Sequence, residues 1–169
     1  MPSTDAPIFN PFTILVDSRE QKPYTFKGIK ADAKHRYRPL VIETEWQALK
    51  QGDYSIKGYE DKITVERKSL ADLYGTVGQG HDRFRREHER MAELDRAFVV
   101  IEGTWEDILN KPPYHTKLNP KAVFRTATKW ATVYNVHWIA VGRYGDMTPR
   151  RVAEITTFRI LQAYWEMKQ

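Results

Sequence analysis

The sequence contains no cysteine, which excludes a disulfide framework, a thiolate metal site and a cysteine nucleophile. No apolar run approaches the length of a membrane span, so no membrane partner is expected. The opening residues MPSTDAPIFNPF have no basic segment leading into an apolar stretch, so they do not read as a secretory signal. The five histidines show no HExxH or other ligand spacing. Gly75, Gly78 and Gly80 follow a helical segment with no Gly-Lys-Ser/Thr, so they do not form a Walker phosphate loop. These absences together predict an intracellular protein, of the cytoplasm or nucleoid, or of the host cell if its source is viral.

What is present is enough to build one domain. The 169 residues are 41% hydrophobic and 12% aromatic, which argues for a packed core and against disorder. A net charge of +5 points toward a polyanionic partner. Residues 1–11, with Pro2, Pro7 and Pro11, read as an irregular lead-in. Residues 12–169 then read as a single domain.

Within it, Phe12–Glu20 starts as a buried strand and ends in charge. A lysine-rich loop runs through Arg38. PLVIETEW, YSIKG and KITVERK give three further strands, with a turn over 58–62. Ser69 opens a helix as its N-cap, with Asp72 at N3. A charged helix is expected from His81 to Leu94, with Phe84, Met91 and Leu94 facing the core and His81 and His88 exposed. Ala97–Gly103 and Val136–Gly142 are apolar enough for buried strands. Asn119-Pro120 and Thr148-Pro149 each pair an N-cap with a proline at N1, opening two more helices. Strands first, then alternating helix and strand, predict an α/β layered domain. Its mixed sheet should be antiparallel on one side and parallel on the other.

The chemistry gathers between Gly52 and Asp72. Side chains alternate along a strand, so Thr64, Glu66 and Lys68 share one face of ITVERKS. Asp53 begins the preceding strand, and hairpin pairing would bring it near Glu66. Two carboxylates and a lysine suit phosphodiester hydrolysis, because hard cations such as Mg²⁺ or Mn²⁺ bind carboxylates and neutralise charge on phosphate. The alternative is an ordinary hairpin whose acid and lysine form a solvated pair. Arg67 falls on the opposite face, so it needs a local twist or a structural salt bridge.

Gly52-Asp53, Glu66-Arg67-Lys68 and Asp72 resemble the GD-x(n)-ERK-xxx-D signature of the XPF/Mus-type structure-specific endonucleases. Val16-Asp17-Ser18-Arg19-Glu20 resembles the VDxRE segment of the same nuclease domain, and Val99–Gly103 resembles a later strand of it. The resemblance runs from about Phe12 to the last helix. It implies a restriction-endonuclease-like fold, three layers with a central mixed sheet flanked by helices. It also implies a Mg²⁺- or Mn²⁺-dependent DNA endonuclease acting at flaps, forks or related branches in repair, recombination or replication.

By the same resemblance, Asp53 and Glu66 would be metal ligands, with the Arg67 main-chain carbonyl assisting. Asp17 would be a further acidic ligand or water-mediated contact. Glu20 would touch the metal or its water, and Lys68 would position or activate the water. Asp72 would either pair with Arg67 or act as a capping acid, and Ser69 would serve as the cap. The family's tandem helix-hairpin-helix module has no counterpart expected after residue 169. A catalytically silent DNA-binding or scaffold subunit is the alternative, as is a nuclease without branch specificity.

Arg83, Arg86 and Arg90 share one face of the charged helix. They would contact DNA phosphates, or else form salt bridges with Glu87, Glu89 and Glu93 on an exposed surface. The last helix carries apolar residues on most sides. Its excess suggests a homodimer or a partner subunit docked on the C-terminal helices.

Overall fold

The computed structural model describes residues 6–35 and 38–169. The first five residues of the expected lead-in, and Arg36 and Tyr37 of the expected loop, lie outside the described residues.

The described residues form eight strands and five α-helices: β1 (Ile8–Phe9), β2 (Ile14–Asp17), β3 (Leu40–Val41), β4 (Thr44–Gln47), β5 (Tyr54–Ile56), β6 (Ile63–Ser69), α1 (Leu70–Val77), α2 (His81–Met91), β7 (Arg96–Glu102), α3 (Trp105–Asn110), α4 (Pro120–Val133), β8 (His137–Ala140) and α5 (Pro149–Met167). Six strands make the central sheet in the order β4-β2-β5-β6-β7-β8. Only β5 is antiparallel to its neighbours, β2 and β6. The β4–β2, β6–β7 and β7–β8 pairs are all parallel. The sheet is therefore mixed as expected, but it returns to parallel pairing at its β4 edge instead of staying antiparallel there.

Two local departures share one cause, the short span from Pro39 to Gln47. The expected single strand PLVIETEW is divided at Ile42-Glu43. Its first half, β3, pairs with β1 in a separate two-stranded sheet. Its second half, β4, joins the main sheet. The lead-in thus holds a short strand, because Ile8 and Phe9 can pair with Leu40 and Val41.

Helices cover both faces and complete three layers. On one face, α5 places Ala153, Phe158, Leu161 and Tyr164 over Ile14, Val16, Ile56, Val65 and Val100. On the other, Leu73, Phe84, Met91, Ile108, Val123 and Trp130 from α1–α4 pack on Ala97, Val99 and Ile101. Strand β7 serves both cores, which explains its nearly unbroken apolar run. The caps act as expected: Ser69 Oγ accepts from Asp72 N–H, Asn119 Oδ1 from Lys121 N–H, and Thr148 Oγ1 from Arg151 N–H. Helix α3 was not expected. It is one and a half turns long, too short for periodicity to reveal, yet Thr104 and Asp107 form a reciprocal capping box at its start.

His88 corrects the expectation of an exposed histidine, since it is completely buried. It stands at i+4 from Phe84, on the same stripe that leads to Met91. Its Nδ1–H donates to Phe84 C=O, and its Nε2 accepts from the Trp138 indole, so both ring nitrogens are satisfied. Burial lowers its pKa, which keeps the ring neutral and suits it to this place between α2 and β8.

Candidate active site

Register settles how the acids meet. Tyr54 lies opposite Val65, so the next residues along this antiparallel ladder, Asp53 and Glu66, are neighbours. Asp53 N–H donates to Val65 C=O at 2.9 Å. On the other side of β5, Val16 lies opposite Tyr54, and Asp17 N–H donates to Asp53 C=O at 2.8 Å. Asp17, Asp53 and Glu66 therefore stand in a row across three adjacent strands, on the face that α1 and α2 cover.

The glycine before Asp53 is dictated by geometry. Gly52 has φ +74°, and a Cβ there would meet Thr64 Oγ1 at 1.9 Å. Thr64 Oγ1 in turn donates to Gln51 C=O at 2.9 Å. Any larger residue would be strained in its backbone and would displace Thr64, two positions before Glu66.

These groups open into a cleft of about 800 Å³ lined by Asp17, Asp53, Glu66, Lys68, Asp72, Arg83 and Glu87 among others. Glu66 is buried, and Lys68 Nζ sits 3.2 Å from its Oε1. The ammonium also lies over the Phe84 ring, 4.5 Å from its centre. Burial works against the charge of Lys68, yet Glu66 outweighs it and holds the lysine above its ordinary pKa. Lys68 is thus a fixed cation at neutral pH rather than a ready base.

The carboxyls behave oppositely. Burial pushes Asp53 up to about 7, against the pull of the Arg67 N–H and with a further push from Glu20. Burial and the neighbouring Asp53 hold Glu66 well above the usual carboxylate range. One ammonium does not compensate two desolvated carboxylates side by side.

Arg67 follows strict alternation and points to the α5 face. Its guanidinium makes a fork to Glu102, with Nε and Nη2 each 2.9 Å from a carboxylate oxygen. Glu20 lies 3.6 Å away on the same guanidinium. Its main chain nevertheless serves the site, because Arg67 N–H donates to Asp53 Oδ2 at 2.7 Å. The salt bridge required by its position is therefore present, and its partner is Glu102 rather than Asp72. Asp72 is exposed on the cleft rim.

Asp17 reaches the cleft, but its oxygens already have partners. Oδ1 accepts from Leu49 N–H and Oδ2 from Arg19 Nε, both at 3.0 Å. Among the described residues, no group of three or more His, Asp or Glu side chains is gathered closely enough to hold a metal. The donor set that fits a hard cation is smaller. It consists of Asp53 and Glu66, two neighbouring carboxyls that burial raises in pKa, Glu66 further by the charge of Asp53. That suits an ion such as Mg²⁺, which takes one or two carboxylates and keeps much of its water.

On α2, Arg83, Arg86 and Arg90 are all exposed, and only Arg83 lines the cleft. The helix's ion pair is Arg85–Glu89 at 2.8 Å, so these three arginines are not consumed in salt bridges among the described residues. Two residues escaped the sequence reading. Glu102 reads from sequence only as part of a strand, although a basic residue on the core-facing side of β6 needs an acid opposite. Glu87 reads from sequence as one of the exposed acids, yet it lies one helical turn after Arg83 and turns into the cleft.

A mixed six-stranded sheet between helical layers, with acids of three neighbouring strands and a lysine at one cleft, defines the class: a restriction-endonuclease-like fold of XPF nuclease type. The chain belongs to the ERCC4 domain family, whose model matches residues 16–143. No curated protein matches the sequence.

Among solved structures, the chain is similar to XPF from Aeropyrum pernix, with TM-score 0.57 and 18% identity over 93% of this chain. It is also similar to XPF from Aeropyrum pernix in complex with DNA, with TM-score 0.59 and 17% identity over 94% of this chain. It spans 61% and 66% of those two chains. Among the described residues no helix is long and apolar enough to cross a membrane.

Proposed function

We propose that the domain is a divalent-metal-dependent DNA endonuclease that cuts phosphodiester bonds at branched DNA, at junctions of duplex and single strand. The observation that carries the reading is the placement of Asp53, Glu66 and Lys68 in one cleft, with two carboxylates short of compensating charge. Asp53 and Glu66 would hold Mg²⁺ or Mn²⁺, with the Arg67 carbonyl assisting. Bound there, the cation supplies charge neutralisation at the phosphate and an acidified water.

The chain's own residues do the rest. The Arg67 N–H fixes the orientation of Asp53. Lys68, held protonated by Glu66, orients the attacking water and offsets negative charge that develops on the phosphate. Asp17, already bonded to Arg19 and Leu49, keeps free lone pairs for a water-mediated contact. Glu20 steadies Arg67 from behind. Arg83 at the cleft, with Arg86 and Arg90 farther along α2, would neutralise backbone phosphates and position the duplex without reading bases.

The DNA in the complex of the Aeropyrum pernix protein supports a DNA substrate, and membership of the ERCC4 family supports the nuclease chemistry. Pairing with a second copy or a partner subunit would use α5, where Ile155, Ile160, Ala163 and the half-exposed Met167 line a groove with Phe98.

The test is cleavage of flap, fork, nicked and linear DNA with Mg²⁺ or Mn²⁺, comparing wild type with Asp53→Ala. Wild type is expected to cut branched substrates and Asp53→Ala to cut none. No cutting by wild type with either metal would overturn the enzyme reading. Equal cutting of linear duplex and flap would remove branch specificity only.

A further inference from the structure

Glu87 belongs to none of the segments that carry the nuclease signature, yet it reaches the cleft from α2. Its Oε1 accepts from Gly52 N–H at 3.4 Å, directly beside Asp53. Most other acids near the site have basic partners, Lys68 for Glu66, Arg19 for Asp17, and Arg67 for Glu20 and Glu102, while Asp72 stands exposed to solvent on the rim. Asp53 and Glu87 have no basic side chain within ion-pair distance among the described residues. Their two charges face the same end of the cleft, and one divalent cation would balance them.

The cations of α2 do not relieve Glu87. Arg85 is engaged with Glu89, and Arg83, one turn before Glu87, makes no salt bridge among the described residues. Glu87 is half-buried, and its field adds to the rise in both Asp53 and Glu66. An acid that only capped the exposed surface of α2 would not lean toward two carboxylates that already repel each other. Its placement has an electrostatic cost that a bound cation would remove.

We propose that Glu87 is a positioning residue of the metal centre, accepting hydrogen bonds from water on a divalent cation held at Asp53 and Glu66. The inference rests on the metal-dependent reading above. No three-carboxylate ligand cluster is gathered among the described residues, which argues for action through water rather than direct ligation. A cation that keeps several waters needs acceptors for their protons, and removing such an acceptor commonly weakens binding about 10–100-fold. Glu87 and Arg83 share one face of α2, so cation binding would also steady the arginine that lines the cleft.

The experiment is calorimetric titration of the protein with MnCl₂ alone, alongside thermal melts with and without Mn²⁺. It compares wild type, Glu87→Gln, Glu89→Gln and Asp53→Asn. Glu87→Gln is expected to weaken Mn²⁺ binding about tenfold. The same change should raise the metal-free melting temperature, because a like charge is removed beside Asp53. Glu89→Gln, on the outward face, should bind Mn²⁺ as wild type does.

A purely structural Glu87 would lower the metal-free melting temperature and leave affinity unchanged, which would overturn the proposal. Asp53→Asn separates the two failures. If wild type binds no Mn²⁺, or Asp53→Asn binds it equally well, the metal centre itself is wrong and Glu87 falls with it. If Asp53→Asn loses binding while Glu87→Gln keeps it, only the role of Glu87 fails.

Discussion

Arg67 shows how one residue of a compact signature divides its labour. Its side chain is locked on the α5 face by Glu102, while its main chain holds Asp53 on the other. The pair is nearly dry, with side-chain exposures of 11% and 7%. Removing Arg67 leaves the buried Glu102 carboxylate with only the Tyr24 hydroxyl and the more distant Arg150, 3.7 Å away, so Arg67→Met should cost about 3 kcal/mol. Urea denaturation measures this, and a double change with Glu102→Met should cost less than the sum of the singles. Wild-type stability in Arg67→Met, with only cutting lost, would mean that the guanidinium meets substrate instead.

The two raised carboxyls make a second prediction at the same scale. Asp53 moves from an ordinary 3.8 to about 7 on folding. Between those values the native state binds more protons than the unfolded chain, so stability falls as pH rises through that window. The metal-free protein should therefore melt at a lower temperature at about pH 8 than at about pH 5 from this source, and Asp53→Asn should flatten the difference. Mn²⁺ should restore the loss at the higher pH and do little at the lower, where protons occupy its ligands.

Helix α2 is the element on which core, site and surface meet. One stripe buries Phe84, His88 and Met91, a second side delivers Arg83 and Glu87 to the cleft, and Arg86 and Arg90 stay in solvent. The buried His88 ties α2 to β8 by accepting from the Trp138 indole, while its other nitrogen bonds back to Phe84 C=O one turn earlier, and Phe84 in turn supports Lys68. DNA affinity measured against salt without divalent metal reads the outer face. Arg83→Ala, Arg86→Ala and Arg90→Ala should each reduce the slope of log K against log salt by about 1. Arg85→Ala, which removes a cation already paired with Glu89, should change it less. Equal slopes for all four would assign the three arginines to solvation alone.

At the scale of the whole molecule, much of the architecture was readable from pattern. The apolar runs at Val99–Ile101 and the Asn-Pro and Thr-Pro openings marked β7, α4 and α5 because burial on both faces and capping leave local traces. The division of PLVIETEW between two sheets left none, since partner choice there depends on Ile8 and Phe9 far away in sequence. The site followed the same rule. Alternation gave the shared face of Glu66 and Lys68 and the opposite face of Arg67. The register that sets Asp53 beside Glu66, and the tilt that turns Glu87 inward, are long-range facts that a one-dimensional pattern does not carry.

The central claim is that Asp53 and Glu66 hold a cation while Lys68 acts on the phosphate and its attacking water. Single-turnover cleavage of a flap substrate, paired with Mn²⁺ titration of the same proteins, tests it most directly. Lys68→Ala should keep Mn²⁺ binding and lose cutting, whereas Asp53→Asn and Glu66→Gln should lose both. Cutting by Asp53→Asn at the wild-type rate, or by Lys68→Ala at the wild-type rate, would contradict the assignment.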